Sequence, residues 1–192
     1  MMSLFKRKKA GEEANTIPEA MDDITQTLLI PVKDEGEKTM CADVYETSQA
    51  EIASYTSIGT RKSQQDSICF DFGDFCTVCA VCDGMGGLTK GEVASATVIK
   101  AFSDWFDTEL EYELENPDMR VIGGKWSLML KDLNARLLEY GKQCHTNLGT
   151  TFTGMLFIED NYVIVHVGDT RAYQIGNEIT QLTTDQTFVA RE

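Results

Sequence analysis

The chain has 192 residues, of which 42% are hydrophobic and 25% are charged, and this composition suits one soluble globular domain with a tail. Its 17 basic and 31 acidic residues give a formal net charge of -14, so nucleic acid phosphates repel it outside the single dense basic run, Lys6-Arg7-Lys8-Lys9. No apolar segment follows that run as in a signal peptide, and none approaches the ~18 residues that a membrane span needs, which predicts a cytoplasmic protein that binds neither nucleic acid nor membrane.

The N-terminal segment, residues 1–50, is rich in charged residues, Thr and Gln and poor in aromatic residues. This composition is typical of a poorly ordered acidic tail. Residues 27–32 have a short strand pattern that Pro31 weakens. The residue pattern changes at Glu51, where a strand pattern begins, so residues 51–192 are predicted to form the folded domain.

Strands and two helices follow in the domain. Alternating or β-branched apolar segments predict strands at 51–58, 67–72, 75–82, 150–158, 162–167, 170–175 and 178–182. Apolar stripes at helical spacing predict helices over 91–110 and 123–144, with a break at Asn116-Pro117. Consecutive strands joined by tight turns, such as Gly73-Asp74, must pair antiparallel. The predicted fold is α+β, an antiparallel sheet covered by the two helices.

Three cysteines recur at a spacing of three, at Cys76, Cys79 and Cys82. A Cys-x-x-Cys pair is typical of zinc or redox sites. Here the pair lies in an apolar strand, where Cys76 and Cys79 point to opposite faces and cannot share an ion. We therefore interpret them as buried, reduced structural thiols.

Asp83 ends an apolar strand and precedes the glycine-rich run Gly84-Met85-Gly86-Gly87. A buried carboxylate is costly unless it is paired or bound to a metal, and glycine lets backbone carbonyls approach a ligand. Carboxylate and carbonyl oxygens are the ligands that Mg²⁺ and Mn²⁺ prefer. The alternative is that Asp83-Gly84 is a simple hairpin turn.

Two further polar clusters lie near strand ends. Asp169 follows the strand at 162–167 and a glycine, and its simplest interpretation is a turn-capping aspartate. Asp66 lies five residues after Arg61, and such a pair is usually a surface ion pair of little worth. A nucleotide-binding loop is disfavoured, because Thr89 and Glu92 stand where the known phosphate-binding patterns need glycine and lysine.

Together these clusters resemble the type 2C family of metal-dependent serine/threonine protein phosphatases, in its bacterial branch, over about residues 52–187. The segments that carry the resemblance occur in family order. They are Arg61 with Gln65-Asp66, Asp83-Gly84-Met85-Gly86-Gly87, Gly91-Glu92-Val93-Ala94-Ser95, Gly149-Thr150-Thr151, Val167-Gly168-Asp169-Thr170-Arg171-Ala172-Tyr173, and Gln181-Leu182-Thr183-Thr184-Asp185.

The resemblance implies a sandwich of two antiparallel sheets flanked by helices, with a site for two Mn²⁺ or Mg²⁺ ions at one end. Asp83 would bridge the two ions, the Gly84 carbonyl would hold one, and Asp66 would act at the same ion. Asp169 would hold a third, weaker ion, and Arg61 would bind the substrate phosphate with its planar set of donors.

The resemblance also implies an activity: hydrolysis of phosphoserine and phosphothreonine in proteins by a metal-activated water, since a bound metal lowers the pKa of water. The substrates would include targets of a bacterial serine/threonine kinase. A phosphocysteine route is not predicted, because no cysteine of the chain has an arginine six residues further on.

The sequence departs from the family pattern at several points. Met85 replaces the histidine of eukaryotic members, as is common in bacterial ones, and Gln186 replaces the usual His after Asp185. The family places two more metal-binding aspartates after the Asp185 region, and the sequence predicts a domain incomplete at its C-terminus. The alternative function is therefore a catalytically inactive, phosphatase-like module that binds phosphoproteins.

Overall fold

The computed structural model describes residues 41–46, 51–73, 75–86 and 90–187, with the backbone alone for 41–46 and 51. Within these ranges the chain forms nine strands and two helices. In chain order they are β1 (Cys41–Glu46), β2 (Glu51–Thr56), β3 (Asp66–Phe72), β4 (Cys76–Gly86), α1 (Gly91–Leu114), α2 (Met119–Gln143), β5 (Leu148–Thr150), β6 (Phe152–Ile158), β7 (Asn161–Val167), β8 (Tyr173–Ile175) and β9 (Ile179–Gln181).

A central antiparallel sheet is the framework of the domain. Its strands lie in the order β3-β4-β6-β7, and β5 pairs with the far end of β4. The strands β1 and β2, and likewise β8 and β9, form two further antiparallel pairs. The predicted α+β class with antiparallel sheets is confirmed, because all the strand pairs are antiparallel, and hairpins such as β3-β4 and β6-β7 are joined too tightly for a parallel crossover.

The strand β4 shows why the helices cover one face of the sheet. Its side chains alternate, so that Cys76, Val78, Ala80 and Cys82 are buried while the residues between them are less so. The buried row faces the helices, with α1 lying on β3 and β4 and α2 lying on β7. The predicted hairpin is present, and the Gly73 N–H donates to the Cys76 carbonyl at 2.9 Å.

The core is centred on aromatic rings from both helices and β6. Phe102 meets Trp126 edge to face at a centroid distance of 4.4 Å and Phe152 at 5.1 Å, and Trp105 meets Trp126 at 5.4 Å. Such pairs add ~0.5–1.5 kcal/mol beyond the burial of their area. Phe102, Trp105 and Trp126 belong to the stripes that the helical spacing predicts, so this part of the packing follows from the sequence period, and Phe152 is added by the first residue of β6.

The helices begin and end close to their predicted bounds. The break at Asn116-Pro117 is confirmed, since α1 ends at Leu114. The predicted start of α2 at residue 123 is four residues late, because Asp118 caps the helix and its Oδ1 accepts from the Arg120 N–H at 2.8 Å. Neither helix of the described residues is both long and apolar enough to cross a membrane.

The strand predicted over 150–158 is two strands. Thr151 interrupts it, because its backbone N–H donates to the Asp83 carbonyl at 2.9 Å and its Oγ1 accepts from the Asp83 N–H at 2.8 Å. Before Thr151 the chain pairs with Gly84–Gly86 as β5, and after it the chain pairs with the first half of β4 as β6. The break therefore lies beside Asp83, where the pairing partner of β4 changes from β6 to β5.

Two other predictions differ in extent. The strand β8 begins at Tyr173 instead of residue 170, because Thr170 bonds across to β6. The strand β1 lies inside the segment 1–50 that the composition assigns to a tail, and it pairs with β2. The boundary between tail and domain stays a prediction, and the strand pattern at 27–32 lies outside the described residues.

The cysteines of β3 and β4 are free thiols, as predicted. Cys76 and Cys82 are fully buried on the helix face, whereas Cys79 lies on the opposite face and is half-buried. Burial raises the pKa of Cys82 to about 12 and raises the pKa of Cys79 and Cys69 as well. Burial thus disfavours the reactive thiolate form of these cysteines, which fits the structural role predicted for them.

Candidate active site

The pairing of β3 with β4 brings two of the predicted carboxylates together. In the antiparallel register Asp66, the first residue of β3, is directly opposite Asp83 near the end of β4. Residues opposite each other in such a pair project from the same face of the sheet, ~4.5–5.5 Å apart at Cβ. The two aspartates therefore lie side by side at one end of the sheet.

The main chain around each aspartate is held by hydrogen bonds that leave the carboxylate out. The N–H and C=O of Asp83 are bonded to Thr151, and the Thr150 Oγ1 also donates to this carbonyl at 3.0 Å. The N–H of Asp66 donates to the Oε1 of Gln64 at 3.1 Å. Both side chains are exposed to solvent, although the protein atoms around Asp66 remove part of the water from its carboxyl. A carboxylate that does not cap its own backbone is available to a ligand.

A cavity of about 450 Å³ opens over the two carboxylates. Its walls come from the loop after β2, the start of β3 and the end of β4. The residues that line it are Ser57, Ile58, Arg61, Ser63, Gln64, Gln65, Asp66, Asp83, Gly84, Met85 and Gly86. Four of the five residues predicted for the site, Arg61, Asp66, Asp83 and Gly84, thus share one cavity.

The electrostatics of the cavity centre on Asp66. Partial burial raises the pKa of this carboxyl above its ordinary value, and the negative charge of Asp83 and a hydrogen bond between the two carboxyls raise it further. The guanidinium of Arg61 acts in the opposite direction and lowers it. Two like charges side by side, with a cation at their edge, form a site that a further positive charge would stabilise.

Gly84 is required by a close approach of backbones. Its N–H donates to the Gln65 carbonyl at 3.1 Å, and a Cβ at this position would overlap the carbonyl oxygens of Gln65 and Gly91. A Cβ at Gly91 would in turn lie 2.7 Å from the Gly84 carbonyl oxygen. The start of α1 therefore packs directly on the end of β4, one residue beyond Asp83.

Asp169 is the predicted site residue that does not line the cavity. It follows Gly168, whose φ of 106° is in the left-handed region and whose added Cβ would meet the side chain of Thr151. The loop of Asp169 thus packs against Thr151, the residue that binds the main chain of Asp83. Among the described residues no three His, Cys, Asp or Glu side chains form a group that could hold a metal.

The loop of Asp169 is nevertheless firmly held. Thr153 and Thr170 approach to 2.6 Å between hydroxyls, and the Gln186 N–H donates to the Gly168 carbonyl at 2.7 Å. Arg171 donates from Nε to Asp185 at 2.9 Å, and this guanidinium holds the pKa of Asp185 below its ordinary value. Because Gln186 acts here through its backbone, the absence of the usual histidine does not remove this contact.

Some residues of the site were not singled out from the sequence for a role. Ser57, Ile58 and Ser63 line the cavity, and their signal was only their proximity to Arg61 in the loop after β2. Thr150 and Thr151 fix Asp83, although they lie 67 and 68 residues away in the chain. Their signal was the Gly149-Thr150-Thr151 segment, which could not by itself indicate its partner.

The donor set fits a divalent cation of the Mg²⁺ or Mn²⁺ type. The cavity presents two neighbouring carboxylates, backbone oxygen and side-chain amide and hydroxyl oxygens, which are hard ligands. No cysteine or histidine lines it, and the thioether of Met85 is the single soft donor among the described lining residues. The mutual repulsion of Asp66 and Asp83 is the kind of charge arrangement that such a cation relieves.

An antiparallel sheet covered by two helices, with carboxylates and an arginine around a cavity at one sheet end, defines an α+β domain built to hold a charged ligand. A family model described as protein phosphatase 2C matches residues 55–191. This match takes in more than half of the sequence, so the chain belongs to the protein phosphatase 2C family. The resemblance found from the sequence is confirmed.

Individual relatives are bacterial. The serine/threonine protein phosphatase PstP of Mycobacterium tuberculosis is 38% identical over 112 residues, which make up 57% of this chain and 20% of that protein. The serine/threonine phosphatase stp of Listeria innocua is 29% identical over 124 residues, 62% of this chain and 47% of that protein. The chain therefore spans between about a fifth and about half of the length of these two relatives.

A solved structure is similar as well. It is the catalytic domain of the serine/threonine protein phosphatase PstP in complex with two manganese ions. The two chains are 28% identical, with a TM-score of 0.56, and the similarity covers 80% of this chain and 57% of that one. This similarity supports the fold and shows that a member of the family binds manganese.

Proposed function

We propose that this chain is a phosphatase domain that hydrolyses phosphoserine and phosphothreonine in proteins with the help of Mn²⁺ or Mg²⁺. The observation that carries the proposal is that Arg61, Asp66 and Asp83 line one cavity, with the two carboxylates opposite each other in the sheet. A phosphate ester needs both a cationic donor and a means of offsetting its charge, and these residues supply the first and the ligands for the second.

Each residue has a distinct role in this proposal. The carboxylates of Asp66 and Asp83 and the carbonyl of Gly84 would hold two cations, and Asp169 would hold a third. When bound, such cations lower the pKa of a coordinated water and offset the charge on the phosphate. Arg61 would bind the phosphate oxygens with its planar donors, and it lines the cavity close enough to Asp66 to lower the pKa of that carboxyl.

The protonated state of the nearby thiol supports water as the nucleophile. Cys82 precedes Asp83, but it is fully buried on the helix face, and burial raises its pKa to about 12. A thiol that keeps its proton is a poor nucleophile, so a phosphocysteine intermediate is disfavoured. The exposed position of Arg61 also allows a phosphorylated side chain on a protein surface to reach the cavity.

The substrates and location are part of the same proposal. PstP and stp are named as serine/threonine phosphatases, and this supports phosphorylated proteins as substrates, among them targets of a bacterial serine/threonine kinase. The free, buried thiols of β4 suit a reducing compartment, which supports the cytoplasm and a role in signalling.

A second candidate is a phosphoprotein-binding module without catalysis. Asp169 does not line the cavity, and the described residues contain no group of three possible metal ligands. A site that holds cations only weakly would keep the phosphate contact of Arg61 and lose turnover. The two candidates differ in whether phosphate is released.

The test combines turnover with binding. We expect the purified protein to release phosphate from a phosphothreonine peptide with Mn²⁺ or Mg²⁺, and a chelator to stop the reaction. Asp83→Asn should lower kcat by about 100-fold or more, because it removes a carboxylate that holds the cations. Arg61→Lys should chiefly raise KM, because the paired donors are lost while the charge is kept.

The matched control is Arg120→Lys at the exposed start of α2, outside the cavity lining, which should change neither constant. Phosphate release that is unaffected by chelator, or by Asp83→Asn, would refute the enzyme proposal. Phosphopeptide binding that depends on Arg61, with no release under any metal, would instead favour the binding module.

A further inference from the structure

The carbonyl oxygen of Gln65 receives two hydrogen bonds just before β3 begins. One comes from the Gly84 N–H at 3.1 Å and the other from the hydroxyl of Ser95 at 2.7 Å. Ser95 lies in the second turn of α1 and is fully buried. It therefore links the helix to the point at which β3 and β4 meet.

The direction of the bonds follows from the proton count. A serine hydroxyl has one proton, and the Gln65 carbonyl is its nearest acceptor, while the Glu92 carbonyl is 3.3 Å away. The Ser67 Oγ, at 2.8 Å, must then donate to the Ser95 Oγ. The chain of bonds runs from Ser67 through Ser95 to Gln65, where it meets the bond from Gly84.

These hydrogen bonds influence the cavity through the backbone next to its two aspartates. Gln65 precedes Asp66 and Gly84 follows Asp83, so their shared hydrogen bond fixes the distance between the two aspartates. Ser95 does not line the cavity, yet its bond holds the carbonyl on which this spacing depends. The close contact between Gly84 and Gly91 leaves no room for the helix to adjust independently.

We infer that Ser95 is a positioning residue for the cation site. It sets the spacing of Asp66, Asp83 and the Gly84 carbonyl through Gln65, and it does so without touching a cation or the substrate. The inference rests on the proposed function, because it assumes that these oxygens hold divalent cations.

The competing interpretation is that Ser95 only stabilises α1. Buried or half-buried serines often bond to a carbonyl of their own helix, as Ser127 of α2 does with the Gly123 carbonyl at 2.8 Å. Ser127→Ala is thus a matched control that removes a serine hydroxyl outside the cavity lining. A purely structural role predicts that Ser95→Ala, like Ser127→Ala, leaves the cation site unchanged whatever its effect on stability.

The experiment has two readouts besides activity. Binding of Mn²⁺ is measured by water-proton relaxation, and the exchange rate of the Gly84 amide proton is measured by nuclear magnetic resonance without metal. For Ser95→Ala we expect about tenfold weaker Mn²⁺ binding and about tenfold faster Gly84 exchange, the effect of losing one hydrogen bond. Ser127→Ala should change both by less than about twofold.

Ser95→Cys guards against the cavity that alanine would leave, because its slightly larger Sγ fills the place of the hydroxyl and offers only a weak donor. It should shift both readouts in the same direction by a smaller factor. Unchanged readouts in Ser95→Ala, or equal changes in Ser127→Ala, would overturn the inference alone. A wild-type protein that binds no Mn²⁺ would overturn the proposed cation site, and the inference would fall with it.

Discussion

At the scale of single residues, the pair of Asp66 and Asp83 decides how the site behaves without metal. The two carboxylates lie opposite each other in the sheet, and Asp66 has a raised pKa because it is partly buried and faces the charge of Asp83. The nearby Arg61 offsets this only in part. The repulsion between two such carboxylates lowers the stability of the folded chain, and binding of either a proton or a cation removes that repulsion.

This gives a pH-dependent prediction for Asp66→Asn. A raised pKa means that the folded chain binds the proton more tightly than the unfolded chain, so the stability contributed is full below the ordinary pKa of 3.8 and is lost as the pH rises through the raised pKa. We expect the metal-free variant to unfold at a higher urea concentration than wild type at about pH 7. The difference should shrink as the pH falls toward about 4.

The control is Asp160→Asn in the exposed turn between β6 and β7, which should change the free energy of unfolding by less than about 0.5 kcal/mol at either pH. With saturating Mn²⁺ the order of Asp66→Asn and wild type should reverse, because the variant has lost a cation ligand. A metal-free Asp66→Asn that is less stable than wild type at neutral pH would show that the two carboxylates do not repel each other.

At the scale of elements, local patterns predicted most of the fold. The alternation in β4 identified its buried face, and the apolar stripes of α1 and α2 identified Phe102 and Trp126 as core residues. What could not be predicted depends on contacts between distant segments. Residues 150–158 consist mainly of strand-forming types, and only the bonds from Thr151 to Asp83 divide them into two strands.

The candidate site likewise has a part that local motifs predicted and a part that depends on contacts between distant segments. Arg61, Asp66, Asp83 and Gly84 were predicted from motifs that stand at strand ends, and the register of β3 and β4 brings them into one cavity. Asp169 was predicted by the same reasoning to hold a separate, third ion; it lies outside the cavity lining, next to Gly168, which packs on Thr151, and its role stays a prediction. Side-chain position after an irregular loop depends on packing that the sequence pattern does not contain.

Two glycines give a paired prediction for these elements. Gly84→Ala adds a Cβ that overlaps two backbone carbonyl oxygens where α1 packs on β4, and neither backbone can move without disturbing the other. We expect a loss of about 1–3 kcal/mol in the free energy of unfolding, as for an overpacked core. Weaker Mn²⁺ binding should accompany it, because the Gly84 carbonyl would have to shift.

Gly124→Ala is the matched control. This glycine lies in α2, it is exposed, and an added Cβ would meet nothing within 4 Å. Alanine should stabilise the helix by up to ~1 kcal/mol and leave Mn²⁺ binding unchanged. Equal stability of Gly84→Ala and wild type in urea would show that α1 and β4 are not in close contact.

At the scale of the whole molecule, the net charge of -14 causes a repulsion among all charged groups, in addition to the local repulsion between Asp66 and Asp83. Like charges spread over a folded domain repel each other and lower its stability, and dissolved salt screens this repulsion. A divalent cation would therefore act in two ways on this chain, by screening all of its acidic residues and, in the proposed function, by binding between Asp66 and Asp83. The two effects must be separated before metal dependence is taken as a property of the site.

The separation is possible because screening depends on ionic strength, whereas binding needs the carboxylates. We expect KCl to raise the melting temperature of wild type and of Asp83→Asn by similar amounts. At the same ionic strength Mn²⁺ should stabilise wild type further, by about 2.7 kcal/mol when its concentration is 100 times Kd, because it binds the folded state alone. Asp83→Asn should lose that excess and keep the response to KCl. Equal stabilisation of both proteins by Mn²⁺ would mean that the cation acts on the overall charge of the molecule and not at the cavity.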